Sequence, residues 1–131
     1  MIKEFSISTK SRTEFIDITG KIENIVKDAN IKEGTCIVFC PHTTAGITIN
    51  ENADPAVRED IKNYLKSAVP YRASYTHTEG NADAHIKASL LGSSINLLIE
   101  SGRLKLGTWQ GIYFCEFDGP RQRNVFIRVF A

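Results

Sequence analysis

The C-terminal third of the chain consists of short strand-like segments joined by tight turns, and this pattern limits the fold more than any other feature. In the last segment, the β-branched residues Val125, Ile127 and Val129 alternate with Asn124, Phe126 and Arg128, which is typical of a half-buried strand. Short turns join strands that run antiparallel. Strands are therefore predicted over residues 94–100, 104–106, 112–117 and 124–130, with a turn at Ser101-Gly102.

The N-terminal part adds strands and helices to this sheet. Strands are expected over 2–9, 13–18, 35–40 and 47–50, and the continuous apolar run between Gly34 and Pro41 predicts a strand buried on both faces. Apolar spacing and capping residues predict helices over 18–29, from Asp54-Pro55 to before Pro70, and over 82–91. The prediction is an α+β fold: an antiparallel, partly mixed sheet, half-barrel or sandwich-like, with two longer helices and one short helix on one side.

The helical spacing also predicts which side chains are buried. On the second helix the expected apolar stripe is Val57, Ile61, Tyr64, Leu65 and Ala68. On the short third helix, Ile86 and Leu90 form the expected apolar edge, and His85 points away from it.

Length and charge restrict the class of protein. A chain of 131 residues, 42% of them hydrophobic, predicts one domain over 1–131. The 16 Lys and Arg against 15 Asp and Glu give a net charge of +1, so nothing in the composition attracts nucleic acid or an anionic membrane. Cys36, Cys40 and Cys115 lie in apolar segments and are expected to be buried free thiols. With no signal-like or membrane-spanning run, the expected location is the cytoplasm.

All three histidines of the chain lie among small polar residues. His42, with Thr43 and Thr44, follows a predicted buried strand, where a rigid scaffold can present binding groups. Alternatively, the threonines only satisfy the backbone groups of a turn. The second cluster mixes imidazoles and carboxylates, which zinc or another divalent ion requires, and contains His77, Glu79, Asn81, Asp83 and His85. Here the alternatives are that Asp83 favours the helix dipole and that Glu79 is a solvated charge.

Two further segments have candidate binding groups. Trp109, between Gly107 and Gly111, can stack on a flat ligand whose polar edge Gln110 contacts. Alternatively, Trp109 plugs the end of the sheet or makes an oligomer contact. Arg121 and Arg123 follow a Gly-Pro turn and can bind phosphate, or simply keep the surface soluble. Arg128 is expected to pair with a carboxylate such as Glu116.

Three long segments occur in an order that resembles a known family: PHTTAGITINENADPAVREDI, HTEGNADAHIKASLLGSS and GRLKLGTWQGIYFCEFDGPRQR. They are similar to the YjbQ-like family of small bacterial and archaeal proteins. The resemblance implies a compact α+β fold, a homotrimer, and a weak secondary thiamine-phosphate synthase activity, which joins a pyrimidine diphosphate to a thiazole phosphate with loss of pyrophosphate. The matching positions are His42, Thr43, His77, Glu79, Asn81, Asp83, His85, Gln110 and Glu116.

Three functions are compatible with these residues. The first is a metal-assisted transferase or hydrolase acting on a small phosphorylated metabolite, the second a module that binds such a metabolite without turnover, and the third a structural role at the trimer interface. For the enzyme, the expected catalytic residues are His42, Thr43, Glu79, Asn81, Asp83, Gln110 and Glu116. Substrate binding is expected from Thr44, Trp109, Arg121 and Arg123, and divalent metal binding (Zn or Mg) from His42, His77 and His85. This hypothesis requires the three histidines to converge in space.

Overall fold

The computed structural model describes residues 1–131 and contains eight strands and three helices. The strands are β1 (Ile2–Ser8), β2 (Glu14–Asp17), β3 (Gly34–Phe39), β4 (Ala45–Glu51), β5 (Ser94–Glu100), β6 (Arg103–Leu104), β7 (Gln110–Glu116) and β8 (Gln122–Phe130). The helices are α1 (Thr19–Ala29), α2 (Pro55–Ala68) and α3 (Ala82–Leu91). Every strand pair is antiparallel, so the predicted α+β class is confirmed, but the expectation of a partly mixed sheet is wrong.

The strands form two sheets with a shared apolar core. The larger sheet has the order β1-β8-β3-β5-β6 and the smaller sheet the order β2-β7-β4. Val38 and Ile127 from the larger sheet belong to one buried cluster with Ile47 and Phe114 from the smaller sheet. This arrangement is sandwich-like, because the inner faces of the two sheets bury each other's apolar side chains.

Helix α1 completes this core. Asp17 accepts hydrogen bonds from the Thr19 backbone N–H and hydroxyl at its start, and Asn30 ends it in the left-handed conformation. Its buried face contributes Ile22 and Val26 to the cluster between the sheets.

Helices α2 and α3 cover the other face of the smaller sheet. Asp54 caps α2 by accepting from the Ala56 N–H, and Leu65 of α2 belongs to a second core with Ala84 of α3 and with Tyr113 and Cys115 of β7. Strand β7 is therefore buried on both faces. The sequence assigned this property to β3, which was wrong: Phe39 at the end of β3 is 42% exposed, because no helix covers the outer face of the larger sheet.

The buried faces of α2 and α3 differ from the predicted ones. Tyr64 is 72% exposed, and Ile86 and Leu90 of α3 also lie at the surface. Helix α3 instead buries alanines together with Asp83 and Lys87. Helix α3 lies close to the smaller sheet, since a Cβ on Gly46 of β4 would be 2.7 Å from the Gly92 carbonyl oxygen. Its alanines Ala84 and Ala88 pack there.

The remaining sequence expectations concern thiols and membrane spans. Cys36, Cys40 and Cys115 are buried free thiols, as expected. None of the three helices is long and apolar enough to cross a membrane.

Candidate functional site

A cleft of about 400 Å³ lies where α3 packs against the start of β4. His42 and Thr43 reach it from the connection between β3 and β4, and His85 and Ser89 reach it from α3, one helical turn apart. The other lining residues are Ala45, Ala88, Gly92 and Ser93. Residues from two distant motifs therefore share one surface.

His42 has a defined orientation and protonation in this cleft. Its Nε2 accepts a hydrogen bond of 2.9 Å from the backbone N–H of Asn124. Burial, and next the charge of Arg123, lower the pKa of His42. The ring is therefore neutral near pH 7, and its proton is on Nδ1, because Nε2 is the acceptor. Nδ1 makes no hydrogen bond within the chain and can donate to a ligand.

The other two histidines adjoin each other. The rings of His77 and His85 are 5.1 Å apart between centroids and nearly perpendicular. His77 Nε2 is 3.7 Å from a carboxylate oxygen of Glu79; the Glu79 side chain is largely exposed and the His77 side chain somewhat less than half exposed. His85 also lines a second cavity with His77 and Tyr75, so it separates the His42 cleft from the His77 surface. The fold thus brings the three histidines into one region.

These histidines do not form a three-ligand metal site within one chain. No group of three or more His, Cys, Asp or Glu side chains is arranged to hold a metal ion. In addition, the Nε2 of His42 is occupied by the Asn124 N–H. If a metal ion bound Nδ1, the ring proton would move to Nε2. Nε2 could then no longer accept the hydrogen bond from the Asn124 N–H. The His42, His77 and His85 set therefore does not fit a metal in this geometry.

Thr44, Glu116 and Arg123 form a buried ion-pair network under the cleft. The fully buried Glu116 accepts hydrogen bonds from Arg123 Nε (2.8 Å) and Nη2, from the Thr9 hydroxyl (2.8 Å) and from the Asp118 N–H (3.0 Å). Arg123 Nη2 also donates to the Thr44 hydroxyl at 2.8 Å. Burial alone would raise the pKa of Glu116, but these donors hold it below its usual value.

This network changes the interpretation of several predicted residues. Arg123 is only 2% exposed and Thr44 only 4%, and neither side chain lines the cleft, so neither contacts a ligand bound there. The expected pairing of Arg128 with Glu116 is wrong: Arg128 lies on the outer face, 5.9 Å from the Phe130 ring, and Arg123 pairs with Glu116 instead. Alternation along β8 places 123 on the inner face and 128 on the outer one.

A second network fixes α3. Asp83 is fully buried and accepts from Arg12 Nη1 (3.1 Å), Arg12 Nη2 (2.9 Å) and Lys87 Nζ (2.9 Å). Burial would raise the pKa of Asp83, but these bonds lower it. The spacing of Asp83 and Lys87 could have revealed their ion pair, since residues four apart adjoin on a helix. Nothing in the sequence points to Arg12, which is 71 positions away from Asp83.

Asn81 and Arg121 meet at Asp118. Asn81 Nδ2 donates to Asp118 Oδ2 at 2.8 Å, and Arg121 Nη2 donates to the same oxygen at 2.9 Å. Asn81 Oδ1 is the one buried side-chain oxygen or nitrogen without a hydrogen-bond partner. The Arg121 side chain is about half exposed, and its Nη1 makes no hydrogen bond. Of the two arginines predicted to bind phosphate, Arg121 and Arg123, only Arg121 has a partly exposed side chain with a free N–H donor.

Trp109 and Gln110 lie away from the histidines. Gln110 pairs with Glu51 at one end of β7, whereas Glu116 pairs with Ala45 at the other end, beside the cleft. Seven residues of strand separate the two ends by about 20 Å. Gln110 Oε1 accepts from the Gly107 N–H, and Trp109 is 62% exposed. Within one chain, Trp109 and Gln110 are therefore not part of the cleft.

The fold and cleft define a class of small α+β proteins: two antiparallel sheets, a helical layer on the smaller one, and a histidine-lined cleft. The model of the UPF0047 protein YjbQ-like family matches residues 3–131. UPF0047 protein YugU of Bacillus subtilis is 49% identical over the whole of both chains, and a UPF0047 protein of Methanocaldococcus jannaschii is 49% identical over all of this chain and 95% of the relative. The chain therefore belongs to the YjbQ-like UPF0047 family.

Solved structures support the same assignment. An uncharacterised conserved protein of this family from Clostridium acetobutylicum superposes with a TM-score of 0.96 at 55% identity, covering 98% of this chain and 99% of that one. A hypothetical protein from Aeropyrum pernix superposes with a TM-score of 0.95 at 34% identity, covering 100% and 98%. The fold is thus shared with relatives of moderate sequence identity.

Proposed function

We propose that the cleft between His42 and His85 binds a small phosphorylated metabolite. The observation that carries this proposal is the neutral His42, whose Nδ1–H is a free donor at a cavity that Thr43 and Ser93 also line, whereas the Ser89 hydroxyl already donates to the His85 carbonyl oxygen at 2.9 Å. Phosphate oxygens accept hydrogen bonds from such donors. A cleft of about 400 Å³ is within the range of small-molecule sites.

The charges around the cleft support an anionic ligand. Arg123 and, more weakly, Arg121 lower the pKa of His42, so both are close enough to influence charge at this position. Arg123 acts from below the cleft through its field, and Arg121 has a free Nη1 for direct contact. Glu116 and Asp118 balance the two arginines, which leaves hydrogen bonding as the main source of affinity.

The reaction we propose is a group transfer in which phosphate or diphosphate leaves. In the weak thiamine-phosphate synthase activity implied by the resemblance, a thiazole nitrogen forms the new bond while the bond to pyrophosphate breaks. The cleft donors would stabilise the charge that grows on the departing pyrophosphate. The alternative is that the cleft binds such a metabolite without converting it. Measurements of binding and of pyrophosphate release distinguish these two possibilities.

We also propose that a divalent ion carried by the phosphorylated ligand contacts His77 and His85, which form no three-ligand metal site of their own with Glu79. Their adjoining rings and the nearby Glu79 carboxylate offer imidazole and carboxylate groups at the exposed end of the region. The ion would neutralise phosphate charge, and His42 stays a hydrogen-bond donor.

A matched pair of variants at His42 tests the binding proposal. In His42→Gln the amide oxygen can still accept from the Asn124 N–H, but the donor into the cleft is lost. In His42→Asn the amide nitrogen replaces Nδ1, but the acceptor for Asn124 is lost. We expect His42→Gln to weaken pyrophosphate binding about tenfold or more in calorimetry. We expect His42→Asn to bind within about threefold of the unmodified protein.

Equal affinities for the two variants would contradict the proposed role of Nδ1. Repeating the titration after chelation shows whether a metal ion contributes, because a metal-dependent affinity would fall. Incubating the protein with the pyrimidine diphosphate and thiazole phosphate, and measuring released pyrophosphate, tests turnover. Saturable binding without release would favour the non-catalytic module.

We further propose that three copies assemble through the outer face of the larger sheet. This face presents Ile37, Phe39, Leu98, Phe126 and Phe130, of which Leu98 is 65% exposed. Phe39 pairs with Ser94, next to Ser93 of the cleft. A neighbouring copy on this face would therefore lie close to the cleft and help to exclude water from it.

A further inference from the structure

A further polar cavity of about 350 Å³, separate from the two cavities at the histidines, lies on the opposite side of α3 from the cleft. Lys87 follows His85 by two residues, which places them about 200° apart around the helix. We call this cavity the Lys87 pocket. Its charged lining consists of Arg12, Glu59, Lys62, Lys66 and Lys87. None of the candidate catalytic, binding or metal residues named from the sequence lines it.

Lys87 is a buried cation with unused hydrogen-bonding capacity. The residue is only 4% exposed, and its Nζ donates to Asp83 Oδ2 at 2.9 Å. An ammonium group has three N–H donors, and this is the only hydrogen bond that Lys87 Nζ makes. A buried lysine that lines a cavity with free donors is suited to bind an anion from that cavity.

The charges around the pocket leave a positive excess. Arg12 and Lys87 share one carboxylate, Asp83, while Lys62 pairs with Glu59 at 3.2 Å. Lys66 has no ion-pair partner. Four basic groups thus face two carboxylates, which gives two excess positive charges. This excess matches a ligand with two negative charges.

The rest of the lining is apolar and aromatic. Leu65 and Phe117 are buried members of the second core and line the pocket. The ring of Tyr71, 46% exposed, lies 3.8 Å from the Arg12 guanidinium carbon. The Arg72 guanidinium carbon also lies 4.8 Å from this ring, and Phe117 is fully buried. A ligand whose anionic head contacts Lys87 would therefore place a small flat group against the exposed part of Tyr71.

We propose that the Lys87 pocket binds a small phosphate monoester that has a flat apolar group. The phosphate contacts Lys87 and Arg12, and Lys66 adds long-range attraction. This inference does not depend on the function proposed for the cleft, because the two sites share no lining residue.

Phenyl phosphate, followed by backbone amide shifts in NMR, tests the proposal. We expect saturable shifts at the amides of Leu65, Tyr71 and Lys87, and none with the neutral benzyl alcohol. Lys87→Met should weaken binding about tenfold. Lys66→Gln, at an exposed position, should weaken it about threefold and serves as the test if Lys87→Met does not fold. Lys3→Gln, an equal change of charge on β1, should leave affinity unchanged.

The outcomes separate this pocket from the cleft. His42→Gln should leave the shifts at Leu65 and Tyr71 intact even if it abolishes pyrophosphate binding. Shifts confined to Thr43, Ser89 and Ser93 would overturn the Lys87 pocket while supporting the cleft. Equal affinities for Lys66→Gln and Lys3→Gln would also overturn it, because a general effect of net charge would then explain any binding.

Discussion

Glu116 shows how a fully buried carboxylate keeps its charge in this fold. Four protein donors surround its two oxygens, and Arg123 supplies a buried positive charge. Removing one partner of such a pair leaves the other charge without compensation, which costs more than the intact pair contributes. The network therefore holds β7 and β8 in place beneath the cleft and fixes the Asn124 N–H that orients His42.

The variant Glu116→Gln tests whether the buried ion pair of Glu116 and Arg123 stabilises the fold. We expect a loss of about 3 kcal/mol in the free energy of unfolding at pH 7, measured by denaturant titration, because Arg123 loses its counter-charge. Since the folded pKa of Glu116 lies below its ordinary value of 4.5, its stabilisation is present above that pH and is lost as pH falls towards the folded pKa. The variant should therefore show a flatter decline in stability below about pH 4.5.

Glu59→Gln is the control for this prediction, because Glu59 forms an exposed ion pair with Lys62. It should change the free energy of unfolding by about 0.5 kcal/mol or less. Similar losses for Glu116→Gln and Glu59→Gln would show that the buried network does not contribute in the proposed way.

At the scale of elements, the cleft depends on the close packing of α3 on β4. Gly46 makes this approach possible: a Cβ on it would lie 2.7 Å from the Gly92 carbonyl oxygen and 3.3 Å from Leu91 Cβ. That same oxygen accepts the Ile47 N–H at 3.0 Å. Because Gly92 and His85 both line the cleft, the distance between α3 and β4 sets the cleft's width.

Gly46→Ala should therefore push α3 away from β4. We expect a loss of about 2 kcal/mol in the free energy of unfolding, from overpacking against backbone atoms. Pyrophosphate affinity should fall as well, because the cleft widens. In Gly20→Ala, by contrast, the new methyl group meets no atom within 4 Å, and higher helix propensity should stabilise α1 by up to about 1 kcal/mol. If Gly46→Ala were as stable as the unmodified protein, the proposed steric role of Gly46 would be wrong.

The elements themselves were predictable, but their buried faces were only partly so. The Asp54 cap of α2 and the stops of α1 at Asn30 and of α3 at Gly92 are local signals, and these helix ends lie where the signals place them. The exposure of Ile86 and Leu90 was not predictable from helical spacing. Their exposure depends on which side of α3 lies against the sheet. The close packing of Gly46 against Gly92, the buried alanines of α3 and the ion pairs of Asp83 determine that side.

At the scale of the molecule, the uncovered outer face of the larger sheet is the main unpaired apolar surface. Helices α2 and α3 cover the smaller sheet, while Phe39, Leu98 and Phe130 stay exposed on neighbouring strands. Adjacent apolar side chains of this kind on a sheet face are typical of a protein interface. The assembly proposed above buries them between copies.

Leu98→Lys tests this assembly. By light scattering after size exclusion, we expect the unmodified protein at three times 14.6 kDa, about 44 kDa, and the variant at the mass of one chain. Leu90→Lys is a matched control, since Leu90 on α3 is 64% exposed and Leu98 is 65% exposed. The control should keep the mass of the unmodified protein. A monomeric unmodified protein, or an assembled Leu98→Lys variant, would contradict the proposal.

The sequence by itself determined the α+β class, the positions of the helices and most strands, and the family, because periodicity, capping and motif order are local properties. Only the tertiary structure decided which polar residues are available to a ligand. Glu116, Arg123 and Asp83 are as polar in the sequence as His42 and His85, yet the fold buries the first three in ion-pair networks and leaves the two histidines lining a cleft. The physical reason is that burial and pairing depend on contacts between residues distant in the chain, such as Arg12 with Asp83 and Asn124 with His42.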